Sequence, residues 1–229
     1  MSLNPKVPPV IAIDGPSASG KGTIAAAVAQ HLGFHYLDSG ALYRIVGFVG
    51  GEHQANLDSD SETTNIALNL KVKFNGDRVF VDARDVSNQI RGEVAGTAAS
   101  RVAALPGVRR ALMSLQHGFR QPPGLVADGR DMGSVVFPDA QLKIYLTATA
   151  EERARRRHKQ LMEKDSGASM ATLLQDIRDR DFRDSNRATA PLLKCTDAIE
   201  IDTTGMPVAD VVAQVLYLYQ KQRKTQKTQ

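Results

Sequence analysis

The sequence predicts an α/β domain whose core is a five-stranded parallel sheet flanked by helices, with a small antiparallel β insertion. Three observations predict it. Five short apolar runs are spread along the chain, the runs are separated by longer helix-patterned segments, and one stretch alternates polar and apolar residues around an Asn-Gly pair. Strands alternating with helical connections are the mark of crossover units and a sheet covered on both faces.

In chain order, "VIAID" (10–14) reads as a buried strand and Gly20 to His31 as a helix. "FHYLD" (34–38) is the second strand, with a helix following from Gly40. "LKVKFNGDRVFVD" (70–82) alternates around Asn75-Gly76, the strongest short hairpin signal, and stands outside the parallel rhythm. The Ala-rich run from Glu93 to Gln121 is helical, interrupted near Pro106-Gly107 and stopped by Pro122-Pro123. "GLVAD" (124–128), "LKIYLTA" (142–148) and "AIEID" (198–202) complete the sheet, and the tail "QKQRKTQKTQ" is basic and polar.

Bulk properties narrow the class. The 229 residues, 42% hydrophobic and 24% charged, suit one soluble domain over 1–229, with 221–229 expected to be a disordered tail. A net charge of +4 attracts phosphorylated metabolites and is too small to imply nucleic-acid binding. Cys195 is the single cysteine, which rules out an intrachain disulfide and fits a reducing cytoplasm. The N-terminal stretch has no secretory h-region, no run is apolar enough to span a membrane, and the histidines do not fall at metal-ligand spacing. The expectation is a cytoplasmic monomer with neither membrane nor nucleic-acid partner.

The first strand runs straight into "GPSASGKGT". Gly15, Gly20 and Lys21 fit G-x-x-x-x-G-K between a strand and a helix, the context in which backbone N–H groups and the helix dipole cradle a nucleoside triphosphate. The candidate ATP loop is therefore Gly15, Pro16, Ser17, Ala18, Ser19, Gly20, Lys21, Gly22 and Thr23. Gly22 stands where such loops usually carry Ser or Thr, which leaves Thr23 and Ser19 as alternative hydroxyls near phosphate or metal.

This loop resembles that of nucleoside monophosphate kinases. Together with "LDSGALYR" (37–44), "ADGRDMGSVVFPDA" (127–140) and "RDRDFRDSNRATAPL" (178–192), it makes the chain similar to bacterial cytidylate kinases from Val10 to about Tyr219. The resemblance implies a P-loop kinase core with a monophosphate-binding insertion over about 63–104 and a helical lid over about 153–170. The implied reaction is ATP plus CMP or dCMP to ADP plus CDP or dCDP, with Mg²⁺ accompanying ATP. It also assigns roles: Ser39 and Arg44 around the acceptor phosphate, Ser100 and Arg109 reading cytosine beside Asp131, Asp184 near the ribose, and Arg130, Arg180 and Arg187 facing phosphates. Lys21, Arg130, Arg157 and Arg187 are the candidate catalytic cations.

The residue types suit that chemistry on their own terms. Cytosine offers a donating amine beside two acceptors, which a carboxylate and an arginine complement. Phosphoryl transfer asks mainly for positive charge, and planar guanidinium groups bind phosphate oxygens in pairs. Asp128, at the end of a buried strand, and Thr23 are the candidate Mg²⁺-shell residues; Asp14 is the alternative carboxylate, or else caps or orients the loop. In "EERARRRHKQ" (151–160), Arg153 shares a helix face with Arg157, and Glu152 shares one with Arg156. Two rival functions are a monophosphate kinase for another base, such as UMP or AMP, and a P-loop regulator or RNA-binding module using the basic tail.

Overall fold

The structure is a computed structural model and describes residues 7–75, 78–162 and 169–227. The chain opens with β1 (Val10–Asp14), α1 (Lys21–Leu32), β2 (His35–Asp38), α2 (Ser39–Glu52) and α3 (Asp60–Leu68). Three short strands follow, β3 (Val72–Asn75), β4 (Arg78–Val81) and β5 (Arg84–Asp85), then α4 (Glu93–Val102) and α5 (Pro106–Gly118). The second half holds β6 (Leu125–Gly129), β7 (Leu142–Thr147), α6 (Ala150–Met162), α7 (Met170–Asn186), β8 (Ile199–Asp202) and α8 (Val208–Lys227).

The five longer-range strands form one parallel sheet in the order β2-β6-β1-β7-β8, and β3-β4-β5 form a separate antiparallel sheet. β1 is fully buried at the centre, and its alternation divides the core. Val10 and Ala12 face the layer with Leu42, Val46, Val108 and Leu112, while Ile11 and Ile13 face Ile24, Val28, Val211 and Val215. Registers Ile13↔Asp128 and Asp14↔Gly129 bring the carboxyl ends of β1 and β6 together. Ligands of open α/β sheets bind at that edge.

The small sheet packs through Val79 and Val81 on Ala41 and Ile45 of α2. The sequence-predicted hairpin pairs as expected, Val72↔Val81 and Phe74↔Val79, although Gly76 and Asp77 of its turn lie outside the described residues. The same is true of 163–168 within the expected lid. Helix α8 runs to Lys227, with Tyr219 buried edge-on against Phe34 at 5.8 Å and Arg223 over the Tyr219 ring. Among the described residues no helix is long and apolar enough to cross a membrane.

Helix α4 is seated on α2 where glycine lets the two approach. A Cβ at Gly47 would stand 2.7 Å from the Ala98 Cβ. We expect Gly47→Val to force the helices apart and to lower stability by about 1–3 kcal/mol, the usual cost of overpacking, as measured by urea unfolding. Because α4 carries Ser100, the same variant should weaken whatever ligand Ser100 helps to hold.

Candidate active site

The loop between β1 and α1 owes its shape to glycine and to clamps from outside. Gly15 has φ 153°, and a Cβ there would lie 2.1 Å from the Leu146 carbonyl oxygen, so no other residue fits. Ala18 and Gly20 are left-handed, at φ 58° and 87°. Arg153 Nη1 donates to the Ser17 carbonyl at 3.1 Å, and Arg156 Nη1 and Thr203 Oγ1 each donate to the Ser19 carbonyl at 3.3 Å. With loop carbonyls held on that side and no side chain capping α1 at Gly20, the N-terminal dipole of α1 faces the cavity. Lys21 is buried and donates to the Pro16 carbonyl at 3.0 Å. Burial and the neighbouring Arg130 charge bring its ammonium down to about 7, against the pull of Asp128.

A cavity of about 1220 Å³ extends from this loop to α4 and α7. Every residue singled out for a site from the sequence lines it except Gly15 and Pro16, at the base of the loop, and Asp14. Arg130 spans its middle, donating from Nε to Asp184 Oδ2 at 2.8 Å and from Nη2 to Ser17 Oγ at 2.7 Å. Ser100 Oγ donates to the other Asp184 oxygen at 3.0 Å and lines the same cavity as Arg109. The Arg109 guanidinium donates to Asp131 in a buried ion pair and lies over the Tyr43 ring at 5.6 Å. Arg187 Nη2 stands 3.8 Å from the second Asp131 oxygen. Burial, then the Arg109 charge, lowers the Arg187 pKa.

On the β2 side, Ser39 Oγ donates to the Asp128 carbonyl at 2.8 Å, and Arg44 donates to Asp38 Oδ2 at 2.5 Å. Asp38 also caps α2 by accepting from the Ala41 amide at 2.9 Å. On the α6 side, Arg157 donates to Glu93 of α4 and to the Arg91 carbonyl at 3.3 Å, with Arg180 3.6 Å from the same Glu93 carboxylate. Arg153 does not join Arg157 in the cavity. It turns behind the loop and pairs with Asp181 of α7 at 2.7 Å, whereas Glu152 and Arg156 pair along the helix at 2.8 Å as their spacing predicts.

Several site residues escaped the sequence reading. Tyr36 donates to Asp128 Oδ2 at 2.6 Å, a contact across β2 and β6 that no local pattern announces. Thr203, Gly205, Pro207 and Val208, after β8, line the cavity too, with Thr203 bonded to the phosphate loop itself. The turn-forming "TTGMP" at the carboxyl end of a predicted strand was the available signal. Asp14 is engaged elsewhere: its two oxygens accept the amides of Met132 and Gly133, each at 2.8 Å.

Three carboxyls here are shifted upward, Asp131 by burial against the pull of Arg109 and Arg187. Burial and then the Asp38 charge raise Asp128 to about 7, opposed by Lys21 and the Tyr36 hydrogen bond. Burial raises Asp14 to about 6 despite its two amide donors. Among the described residues no three or more His, Cys, Asp or Glu gather closely enough to hold a metal by themselves.

The family model described as cytidylate kinase matches residues 11–221. The chain is 54% identical over 216 residues to a cytidylate kinase of Nitrosomonas europaea, covering 94% of this chain and 97% of that one. It is 52% identical over 213 residues to one from Burkholderia pseudomallei, with 93% of both chains covered. With one from Aeromonas salmonicida it shares 50% over 222 residues, covering 95% and 96%.

The Asp128 shift has a direct consequence for stability. Its ordinary value is 3.8, so between that and about 7 the folded protein holds a proton that the unfolded chain has released. The stability linked to that proton is complete below the ordinary carboxylate range and is lost as pH rises through 7. Lys21, lowered from 10.5 to about 7, acts above that range in the opposite sense, because there the unfolded chain binds more protons. The Asp128-linked part of the stability, read as the urea midpoint of the nucleotide-free wild type minus that of Asp128→Asn, should therefore fall as pH rises from about 4 to about 7.

Proposed function

The chain belongs to the cytidylate kinase family, and from that membership we propose that it transfers the γ-phosphoryl group of ATP to CMP or dCMP, giving ADP and CDP or dCDP. As a nucleoside monophosphate kinase it is a phosphotransferase acting on nucleotides. The observation that carries the reading is one continuous cavity with the phosphate loop at one end and the buried Arg109–Asp131 pair at another.

On this reading ATP lays its phosphates on the amides of Ser17 to Thr23, and Lys21 leaves the Pro16 carbonyl for the terminal phosphates. Asp131 accepts the exocyclic amine of cytosine, and Arg109 donates to the ring nitrogen and carbonyl. Uracil presents a carbonyl where the amine was, so its lone pair faces a carboxylate and is rejected. Asp184, held by Ser100, meets the ribose; Ser39, Arg44 and Arg180 surround the acceptor phosphate. Arg130, Arg157 and Arg187 supply charge to the transferring group, the main demand of this chemistry. No general base is needed, because the attacking phosphate oxygen is already ionised. Within the expected insertion and lid, the helices α4 and α6 that carry Ser100 and Arg157 would close on the two substrates and exclude water.

The residues present fit Mg²⁺. Asp128 is a hard oxygen donor at the edge of the loop, further crowded by the Asp38 charge, and Thr23 lines the same cavity. A site with few protein ligands suits an ion that keeps its waters and rides on phosphate oxygens. When bound, Mg²⁺ neutralises phosphate charge. The reading includes a cytoplasmic monomer whose partners are ATP and CMP or dCMP.

A coupled ADP-release assay with ATP and Mg²⁺, comparing CMP, dCMP, UMP, AMP and GMP and identifying products by chromatography, tests the proposal. CDP and dCDP should dominate; ADP release indifferent to the acceptor would leave only an ATPase or a nucleotide-binding module. Lys21→Ala should cut turnover by roughly 100-fold or more with the fold intact, as expected for a principal charge on the transferring group. Asp131→Ala should lose about 1–3 kcal/mol of preference for CMP over UMP, the worth of one base-reading contact.

A further inference from the structure

The segment that follows Asp131 has a donor problem that Asp14 solves. Residues Met132–Val136 form a wide turn in which the Val135 and Val136 amides donate to the Asp131 carbonyl at 2.9 and 3.1 Å, and the Phe137 amide donates to the Met132 carbonyl at 2.7 Å. The amides of Met132 and Gly133 go instead to Asp14, one to each carboxylate oxygen. Two adjacent buried donors require two acceptors, and a single carboxylate supplies both. Asp14 is 5% exposed on the central strand, one residue before Gly15. Glycine at 133 leaves space beside the carboxylate, since a Cβ there would stand 3.0 Å from Lys143 Cδ and 3.4 Å from Asp14 Oδ2.

We propose that Asp14 is a positioning residue for acceptor-base selection: its carboxylate fixes the Asp131–Gly133 backbone against the start of the phosphate loop, and so sets where Asp131 stands relative to the donor phosphates. The inference rests on the reading of Asp131 and Arg109 as the base-reading pair. The donor loop and the acceptor pocket are thereby joined through one side chain bridging β1 and the turn after β6. Arg109 and Arg187 hold the Asp131 side chain, but both belong to other helices. Beyond chain continuity with β6, which ends at Gly129, Asp14 ties the backbone just after Asp131 to the neighbouring strand β1. Asparagine at this position keeps one acceptor and turns an N–H₂ toward an amide that needs one, whereas glutamate keeps both acceptors on a longer arm.

The test compares wild type, Asp14→Asn and Asp14→Glu for kcat/KM with CMP and UMP, KM for ATP, and amide hydrogen exchange at Met132 and Gly133. In Asp14→Asn the CMP-to-UMP ratio should fall about tenfold or more, within the worth of one base contact. Gly133 should exchange faster and KM for ATP should stay within about twofold, an expected split between the two substrates. Asp14→Glu should recover part of the ratio. A wild-type ratio in Asp14→Asn, an equal loss with both acceptors and ATP, or failure of both variants to fold would each overturn the inference, the last by confining Asp14 to stability. A wild-type enzyme that does not distinguish CMP from UMP would instead refute the base-reading assignment itself.

Discussion

A buried site rich in cations must balance their charge before any phosphate arrives, and this constraint organises the whole molecule. Isolated charges out of water cost several kcal/mol each, so four guanidinium groups at the site have a carboxylate close by, while Arg180 and Arg187 share the carboxylates of Arg157 and Arg109. Arg130 has Asp184, Arg109 has Asp131, Arg157 has Glu93 and Arg44 has Asp38. These pairs join separate parts of the chain: Glu93 lies at the start of α4 and Arg157 on α6, while Arg130 follows β6 and Asp184 belongs to α7. The charge balance of the cavity and the docking of its walls are therefore one set of interactions.

The parallel sheet makes that arrangement possible by sending its carboxyl ends to one edge. β1 contributes Asp14 and the loop, β6 contributes Asp128 with Arg130 and Asp131 just beyond, β2 contributes Asp38, and β8 leads into Thr203. β1 and β6, buried along their whole length and paired in register, give the loop and the residues after β6 a shared frame. The elements carried above the edge, α4, α6 and α7, touch it through side chains. Arg153 and Arg156 grip loop carbonyls from α6, which makes the shape of the phosphate loop depend on a helix more than a hundred residues away in sequence, |i−j| being 136 and 137.

What the sequence disclosed follows from whether the cause was local. The five sheet strands were legible because continuous apolar runs bounded by turns have no other good use in a soluble domain, and the loop because strand, glycines and lysine stand in one uninterrupted stretch. Helix α3 went unread: its apolar face is short, with only Thr63 and Ala67 buried, and its start is marked mainly by the Ser59 cap accepting from the Glu62 amide. The grouping of Ser100 with Asp184 is a contact over 84 residues, which spacing cannot reveal. Arg153 and Arg157 do lie one helical turn apart, yet they serve different ends, since periodicity gives a face and not a partner.

The same charge balance bears on how a phosphate could enter. If these arginines hold phosphate as proposed, an anion reaching Arg157 or Arg180 meets cations paired with Glu93, and one reaching Arg44 meets Asp38, so binding would exchange carboxylate for phosphate instead of filling a bare positive well. A phosphate dianion carries more charge and more acceptor oxygens than the carboxylate it replaces, and it can draw several guanidinium groups at once. A singly charged ligand gains little from the same exchange. Selectivity for phosphorylated ligands then arises from the number of pairs replaced together. The released carboxylates must find solvent or new partners at the same time, and that requirement favours a concerted movement of the helices that carry them over piecemeal rearrangement within a rigid wall.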